Sequence, residues 1–279
     1  MGAAASWSEE FRTAAPAAGP AIYERIMVPP LFVPWAERLL DLLEVEPGLA
    51  VLDVACGPGT VARLAAARVG PYGAVTGCDV SAAMLATARA KPPVEGGGAI
   101  EYVECPGDAL AVADDAFDVV TCQHGLQFFP DRPRALAEMR RAARPGARLG
   151  LAVWTAIDES PVFAALARVV DRLLGPEAGA TYRGGPWGLS DGGELEELVR
   201  DAGFTDVQLR REVLPVWFDG GPAQVVSTLA VTALASRLAS LDPGERERLA
   251  AAADEELGQF AADGRLGSET VANIALATA

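Results

Sequence analysis

The stretch that decides the fold runs from Val51 to Ala65, VLDVACGPGTVARLA. An apolar run over 50–55 ends in a loop carrying Gly57 and Gly59, and helical spacing begins at Thr60. A continuous apolar segment closed by a glycine turn is the pattern of a parallel strand buried on both faces. Glycines in such a turn let backbone approach a ligand closely and adopt positive φ. The helix start beyond them presents unpaired N–H groups. Strand, ligand-binding turn and a helix over 60–69 are expected in that order.

Working outward, the same rhythm repeats. AVTGCDV (74–80) reads as a second strand, with Ser81 capping a helix over 82–90. AIEYVEC (99–105), FDVVTCQ (117–123) and ARLGLAVW (147–154) read as further strands, with a helix over 132–143 before the RPGA turn. Alternating strands and helices imply an α/β domain with a parallel sheet covered on both faces. Upstream lies AIYERIMVPPLFVPWAERLLDLLEVEPG (21–48). Its Pro29, Pro30 and Pro34 should break any long helix, leaving helical spacing over 35–43.

After Trp154 the rhythm changes. A helix is expected over 161–174, a glycine-rich loop at YRGGPWGLSDGG (182–193) and a helix over 193–202. A long strand or a bent pair should follow at FTDVQLRREVLPVWF (204–218), then helical stretches over 222–240 and 242–262. VANIALATA (271–279) closes the chain as a strand. The domain reading is a helical cover over 1–45, a ligand-binding core over 46–155, and substrate-side helices, lid loop and remaining strands over 156–279.

The 279 residues are 51% hydrophobic, enough to bury a sizeable core. A formal charge of −15 argues against nucleic acid and anionic membranes, since phosphate binding needs clustered Lys and Arg. Four separated cysteines and one histidine give no zinc pattern, and isolated thiols suit a reducing, cytoplasmic setting. Asp114, Asp115 and Asp118 read as solvated turn and strand-start residues, so no metal is expected. No apolar run is long enough to span a membrane, and the start lacks a secretory pattern. That start matches M-G-x-x-x-S, a myristoylation pattern, for which low complexity in an Ala-rich tip is the better account.

Gly57 to Ala62 also satisfies the loose G-x-G-x-x-A dinucleotide pattern, so the glycines alone leave a nicotinamide cofactor open. Asp53 argues against it. A carboxylate at this strand end repels a pyrophosphate and attracts a cation. S-adenosylmethionine brings an ammonium and a sulfonium to such a loop. Asp79, twenty positions after Gly59 and at the next strand's end, can accept bonds from both ribose hydroxyls.

DVACGPGT (53–60) resembles motif I of class I S-adenosylmethionine-dependent methyltransferases, and GCDVSAAMLATARA (77–90) their acidic-loop motif. CPGDALAVADDAFDVVTCQHGLQFFPD (105–131) and ALAEMRRAARPGARL (135–149) resemble the regions that follow. The likeness spans about Tyr23 to Trp154 and is greatest to the small-molecule group of ubiquinone and menaquinone methyltransferases. It implies a Rossmann-like, seven-stranded, mostly parallel sheet with a helical N-terminal cover and a helical insertion before the last strand. It further implies that Asp53, Ala55, Gly57 and Gly59 surround the methionine part of the donor. Asp79 would hold the ribose, Val80 and Met84 pack beside the adenine, and Gly107, Asp108 and Ala109 meet its amino edge. Gln123 and His124 would line the methyl end, with Tyr23 and Phe32 covering the cofactor. RPGA departs from the two glycines usual after that proline, at a turn read as shaping the sheet edge.

Methyl transfer needs nucleophile and methyl held in line with water excluded. A phenolic, hydroxylic or amine acceptor also gains from a base. His124, expected to titrate near the unperturbed 6.5, is the candidate catalytic base. Trp35, Phe128, Trp154, Trp187 and Trp217 are candidate walls of an acceptor pocket, with GGPWG as a lid. The function read from the sequence is methyl transfer to oxygen or carbon of a small apolar or aromatic metabolite, in a possible homo-oligomer. Alternatives are a non-methylating reaction such as cyclisation, a cofactor-sensing protein, and last an NAD oxidoreductase.

Overall fold

The computed structural model describes residues 19–279; the expectations for the Ala-rich tip and its myristoylation pattern lie outside the described residues. Strands β1 (Ala50–Val54), β2 (Ala74–Asp79), β3 (Ala99–Glu104), β4 (Phe117–Gln123), β5 (Ala143–Trp154), β6 (Thr205–Phe218) and β8 (Arg265–Thr278) lie in the order β3-β2-β1-β4-β5-β8-β6. The two-residue β7 (Ala261–Ala262) pairs with β8 off this path. The pairs β1–β2, β1–β4, β2–β3 and β4–β5 are parallel, and β8 runs antiparallel to β5. This is the Rossmann-like α/β sheet.

The chain forms two compact units. The core unit holds Phe32–Thr155, Leu189–Glu212 and Ala272–Ala279; the other holds residues 19–31, Ala156–Gly188 and Val213–Val271. In the core unit β1 and β4 are buried along nearly their whole length. Leu52, Val54, Val120 and Cys122 meet Leu136 and Met139 of the helix Arg132–Ala142 in one apolar cluster. Continuous apolar runs are therefore required by burial on both faces. Strand order reverses direction at β1, whose neighbours β2 and β4 lead to opposite sides of the sheet. A crevice opens at the carboxyl ends of strands at such a switch point.

Three local readings are corrected, and the preface is as expected. Its prolines interrupt a long helix: Pro20–Ile26 is followed by a π-helical turn Val28–Phe32 and then the helix Val33–Leu42. The wide turn accommodates Pro29 and Pro30, and Pro34 sits in the first turn of its helix, where a missing N–H costs little. RPGA is contained within β5, an interior strand between β4 and β8, so it does not shape an edge. Gly146 takes φ +81° there, and its N–H donates to Ala279 O at 2.9 Å.

Tyr182, Arg183 and Gly184, expected in the loop, belong to a helix Pro176–Gly184. Weak helix formers are held there by tertiary contacts: Arg183 makes a two-pronged pair with Asp171, and Tyr182 is buried edge-on to Trp187. The helical stretch over 222–240 is interrupted, giving Gly221–Ser227, a 3-10 turn Thr228–Val231 and a short helix Ala235–Ala239. Ser227, Thr228 and Thr232 hydroxyls donate to the carbonyls of Ala223, Val225 and Leu229, offering the backbone an alternative to continued helix. The next helix, Pro243–Leu257, starts at a capping box of Asp242 and Glu245.

Candidate functional site

The site residues gather at the carboxyl ends of β1, β2 and β4. Leaving β1, Ala55 takes a left-handed conformation at φ +57°, followed by Gly57 at +54° and Gly59 at +81°. For an L-residue this conformation costs roughly 1–2 kcal/mol, so the turn stores strain at Ala55 and relies on glycine elsewhere. A Cβ on Gly59 would lie 2.3 Å from the Tyr102 hydroxyl oxygen, whereas one on Gly57 would meet nothing within 4 Å. Gly59 thus allows close packing inside the protein, and Gly57 leaves open space beside the loop.

Two carboxyls fasten this turn. Asp79 Oδ2 accepts the Gly57 N–H at 2.8 Å, and its Oδ1 accepts the Ser81 N–H at 2.8 Å. Ser81 caps the next helix by accepting the Met84 N–H at 3.3 Å. Asp53 is wholly buried: Oδ2 accepts the Ala62 N–H at 3.0 Å, and Oδ1 accepts the Thr121 hydroxyl at 3.1 Å. Burial raises its pKa to about 7, against the opposing pull of those two hydrogen bonds. Val80 stands exposed beside Asp79, with Met84 half-buried nearby in the sequence.

After β3, Ala109 N–H closes a turn onto Pro106 O, and Asp108 O accepts from Arg134. A Cβ on Gly107 would come within 2.5 Å of the Phe129 ring, so glycine lets this loop lie against the aromatic. After β4, Gln123 Nε2 donates to Phe32 O at 3.0 Å, tying the start of the helix Val33–Leu42 to the strand end. His124 follows in a left-handed conformation at φ +51°. Its ring stacks on Trp154 at 3.6 Å between centroids, with Trp35 edge-on at 5.9 Å and Phe32 tilted at 6.0 Å.

This cage corrects the expectation of an imidazole titrating near 6.5: burial among apolar rings pushes its pKa down to about 3. The ring is neutral at physiological pH. Both ring nitrogens, Gln123 Oε1, Thr60 Oγ1 and both side-chain amide atoms of Gln127 are buried without a hydrogen-bond partner. Buried polar atoms are nearly always paired in native proteins, so a concentration of orphans points to a ligand.

Of the residues singled out from the sequence, Phe32, Asp53, Ala55, Gly57, Gly59, Asp79, Val80, Met84, Gly107, Asp108, Ala109, Gln123 and His124 all lie in the core unit. Tyr23, on the helix Pro20–Ile26, belongs to the other unit. Trp35 and Trp154 form the cage, and Phe128 is exposed. Trp187 packs with Phe163 and Tyr182 in the other unit, where half-exposed Trp217 carries Arg265 over its ring at 4.5 Å. Thr60, Thr121 and Gln127 were not singled out. Thr121 was legible only as a polar residue inside FDVVTCQ, on a strand that should be apolar throughout.

Residues 26–167 match the model of the ubiE/COQ5 methyltransferase family. The chain belongs to that family. It is 32% identical over 244 residues to the nocamycin O-methyltransferase of Saccharothrix syringae, covering 84% of this chain and 86% of that one. It is 32% identical over 191 residues to the demethylmenaquinone methyltransferase of Listeria welshimeri, covering 64% and 79%. The fold is also that of phosphoethanolamine N-methyltransferase 2 of Haemonchus contortus, solved with S-adenosylmethionine. There the TM-score is 0.59 at 18% identity, covering all of this chain and 60% of that one.

The protein is therefore an S-adenosylmethionine-dependent methyltransferase. The methyltransferase site suits that donor in its own chemistry: open space at Gly57, a carboxylate on Asp79 and orphaned buried polar atoms at the strand ends. Among the described residues no helix is long and apolar enough to cross a membrane.

Proposed function

We propose that the protein transfers a methyl group to an oxygen or carbon atom of a small, apolar or aromatic metabolite at the crevice beyond β1 and β4. The orphaned nitrogens of His124 inside a cage of Phe32, Trp35 and Trp154 carry this reading. Such walls favour an apolar acceptor and keep water away from the reacting carbon. Oxygen is the first choice of acceptor atom, because the relative covering most of both chains is named for O-methylation.

When bound, S-adenosylmethionine supplies a methyl group already activated by its sulfonium. The chain's own task is then to bind, orient and exclude water. Gly57 gives backbone access to the methionine part and Gly59 lets the turn pack closely beneath it, with Asp53 and Ala55 behind them. Asp79 holds the ribose, Val80 and Met84 flank the adenine, and Gly107, Asp108 and Ala109 bound its edge. Gln123 and His124 line the methyl end, and Phe32 covers it. His124 acts here as a neutral ring that can donate or accept a hydrogen bond. With its conjugate acid near 3, it cannot retain an abstracted proton at neutral pH.

The four free, buried thiols and the acidic balance fit cytoplasmic small-molecule metabolism without a nucleic-acid partner. The test is a panel of phenolic, enolic and carboxylic acceptors with methyl-labelled donor. Labelled product with equimolar S-adenosylhomocysteine is expected; product without it would move the protein to a non-methylating reaction.

A further inference from the structure

Thr121 sits in the middle of β4 with no exposure to solvent. Its hydroxyl oxygen lies 3.1 Å from Asp53 Oδ1 and 3.3 Å from Leu52 O, and it has one hydrogen to give. That geometry has two arrangements. With Asp53 ionised, the hydroxyl donates to the carboxylate. With Asp53 protonated, the acid can donate to the same hydroxyl oxygen, and the threonine hydrogen turns to Leu52 O. Each arrangement leaves every buried polar atom among the three groups paired.

The other carboxyl oxygen of Asp53 holds the Ala62 N–H, in the first turn of the helix that begins at Thr60. Charge on Asp53 is thereby coupled to the glycine turn and its helix start. The titratable groups around it are Asp79 at the end of β2, Cys56 in the turn, Cys78 on β2 and Cys122 on β4. Burial pushes all three thiols well up, to about 12 for Cys122, so they stay neutral through the neutral range. Asp79 is the one other acid in the group, and it disfavours a second negative charge on Asp53.

We propose that Thr121 is a positioning residue for the methyl donor: its hydroxyl holds Asp53 in either protonation state and sets the pH at which the glycine turn gains the negative charge that attracts the donor's ammonium. The proposal rests on the donor occupying the glycine turn. Thr121 touches no donor atom in this account and acts only through Asp53. Removing the hydroxyl takes a donor from the carboxylate and an acceptor from the acid. The charged form loses more, because hydrogen bonds to ions are about twice as strong as neutral ones. Asp53 then stays protonated to higher pH.

The experiment is calorimetric titration of S-adenosylmethionine into wild type, Thr121→Val, Thr121→Ser and Asp53→Asn between pH 6 and 9, with thermal unfolding of each ligand-free protein over the same range. The donor's own ionisation is common to all four proteins, so differences between curves report the protein. Wild-type affinity should rise as pH passes through about 7, where Asp53 ionises. Thr121→Val should move that rise to higher pH, Thr121→Ser should restore it, and Asp53→Asn should abolish it. A Thr121→Val protein that is folded, binds, and shows the wild-type pH midpoint overturns the proposal. So does a weakening by the same factor at every pH, which marks a packing effect. If Thr121→Val does not fold, an undisplaced midpoint in Thr121→Ala overturns it equally. Failure of wild type to bind the donor would instead sink the underlying site assignment.

Discussion

The two ends of the core-unit crevice are built on opposite principles. Around the glycine turn every carboxyl oxygen has a partner: Asp79 spans Gly57 and Ser81, and Asp53 spans Ala62 and Thr121. Around His124 the walls are aromatic rings, and both ring nitrogens are unpaired. The first end is pre-assembled, and its hydrogen bonds define a backbone shape. The second is dry, and its polar atoms await a partner. A donor whose chemistry is fixed suits the first construction, and an acceptor that must meet the methyl group without water suits the second.

The greatest effects should come from the glycines, in two different ways. Gly59→Val combines a positive φ with a 2.3 Å approach to Tyr102, so the folded state itself suffers, by at least about 2–3 kcal/mol. Gly57→Ala meets no neighbour and should cost the ligand-free fold only about 1 kcal/mol, yet it places a methyl group where the donor would lie. Thermal unfolding and donor titration of both variants should show stability lost in the first and affinity lost in the second. The reverse order would break the distinction between packing glycine and cradle glycine.

At the other end, His124→Phe keeps the stack on Trp154 and deletes two unpaired nitrogens. Replacing an unsatisfied buried polar group by an apolar one of similar shape is neutral or stabilising, so the melting temperature should hold or rise. Turnover should fall while donor affinity changes little. A marked loss of stability would mean that the imidazole is paired in the folded protein.

A subtler contrast lies in pH. The folded-state pKa of Asp53 is raised, so its contribution to stability is present below about 4 and lost as pH rises through about 7. That of His124 is lowered to about 3, so its contribution is present above 6.5 and lost as pH falls toward 3. Between about 4 and 6.5 the two oppose each other. Asp53→Asn should therefore reveal a stability that climbs with pH in this window, and His124→Phe one that declines. Unfolding measured by denaturant across the window checks the signs, and slopes of equal sign would contradict both burial arguments.

The same division explains what was legible in the sequence. The glycine turn, Asp53, Asp79 and the Ser81 cap could be placed because each is demanded by backbone geometry, which leaves a residue-level signature. The buried strands β1, β2 and β4 could be placed from their apolar runs, but their order in the sheet could not, because pairing is set by the chain's crossovers. The neutrality of His124 could not be read, because it depends on Trp35, Phe32 and Trp154, which chain folding alone brings around it. Thr121 was hidden for the same reason, its partners lying 68 and 69 positions away. The helix Pro176–Gly184 escaped because glycines that lower intrinsic propensity serve close packing there: a Cβ on Gly179 would collide with Asp171.

The glycine turn remains the centre of the account, and Asp79 is its most accessible handle. Calorimetry of S-adenosylmethionine and NADH with wild type and Asp79→Ala tests it most directly. One donor molecule should bind per wild-type chain, NADH should not bind, and Asp79→Ala should lose about 1.5–3 kcal/mol from removal of a charge-assisted bond. NADH binding, or donor affinity unchanged in Asp79→Ala, would contradict it.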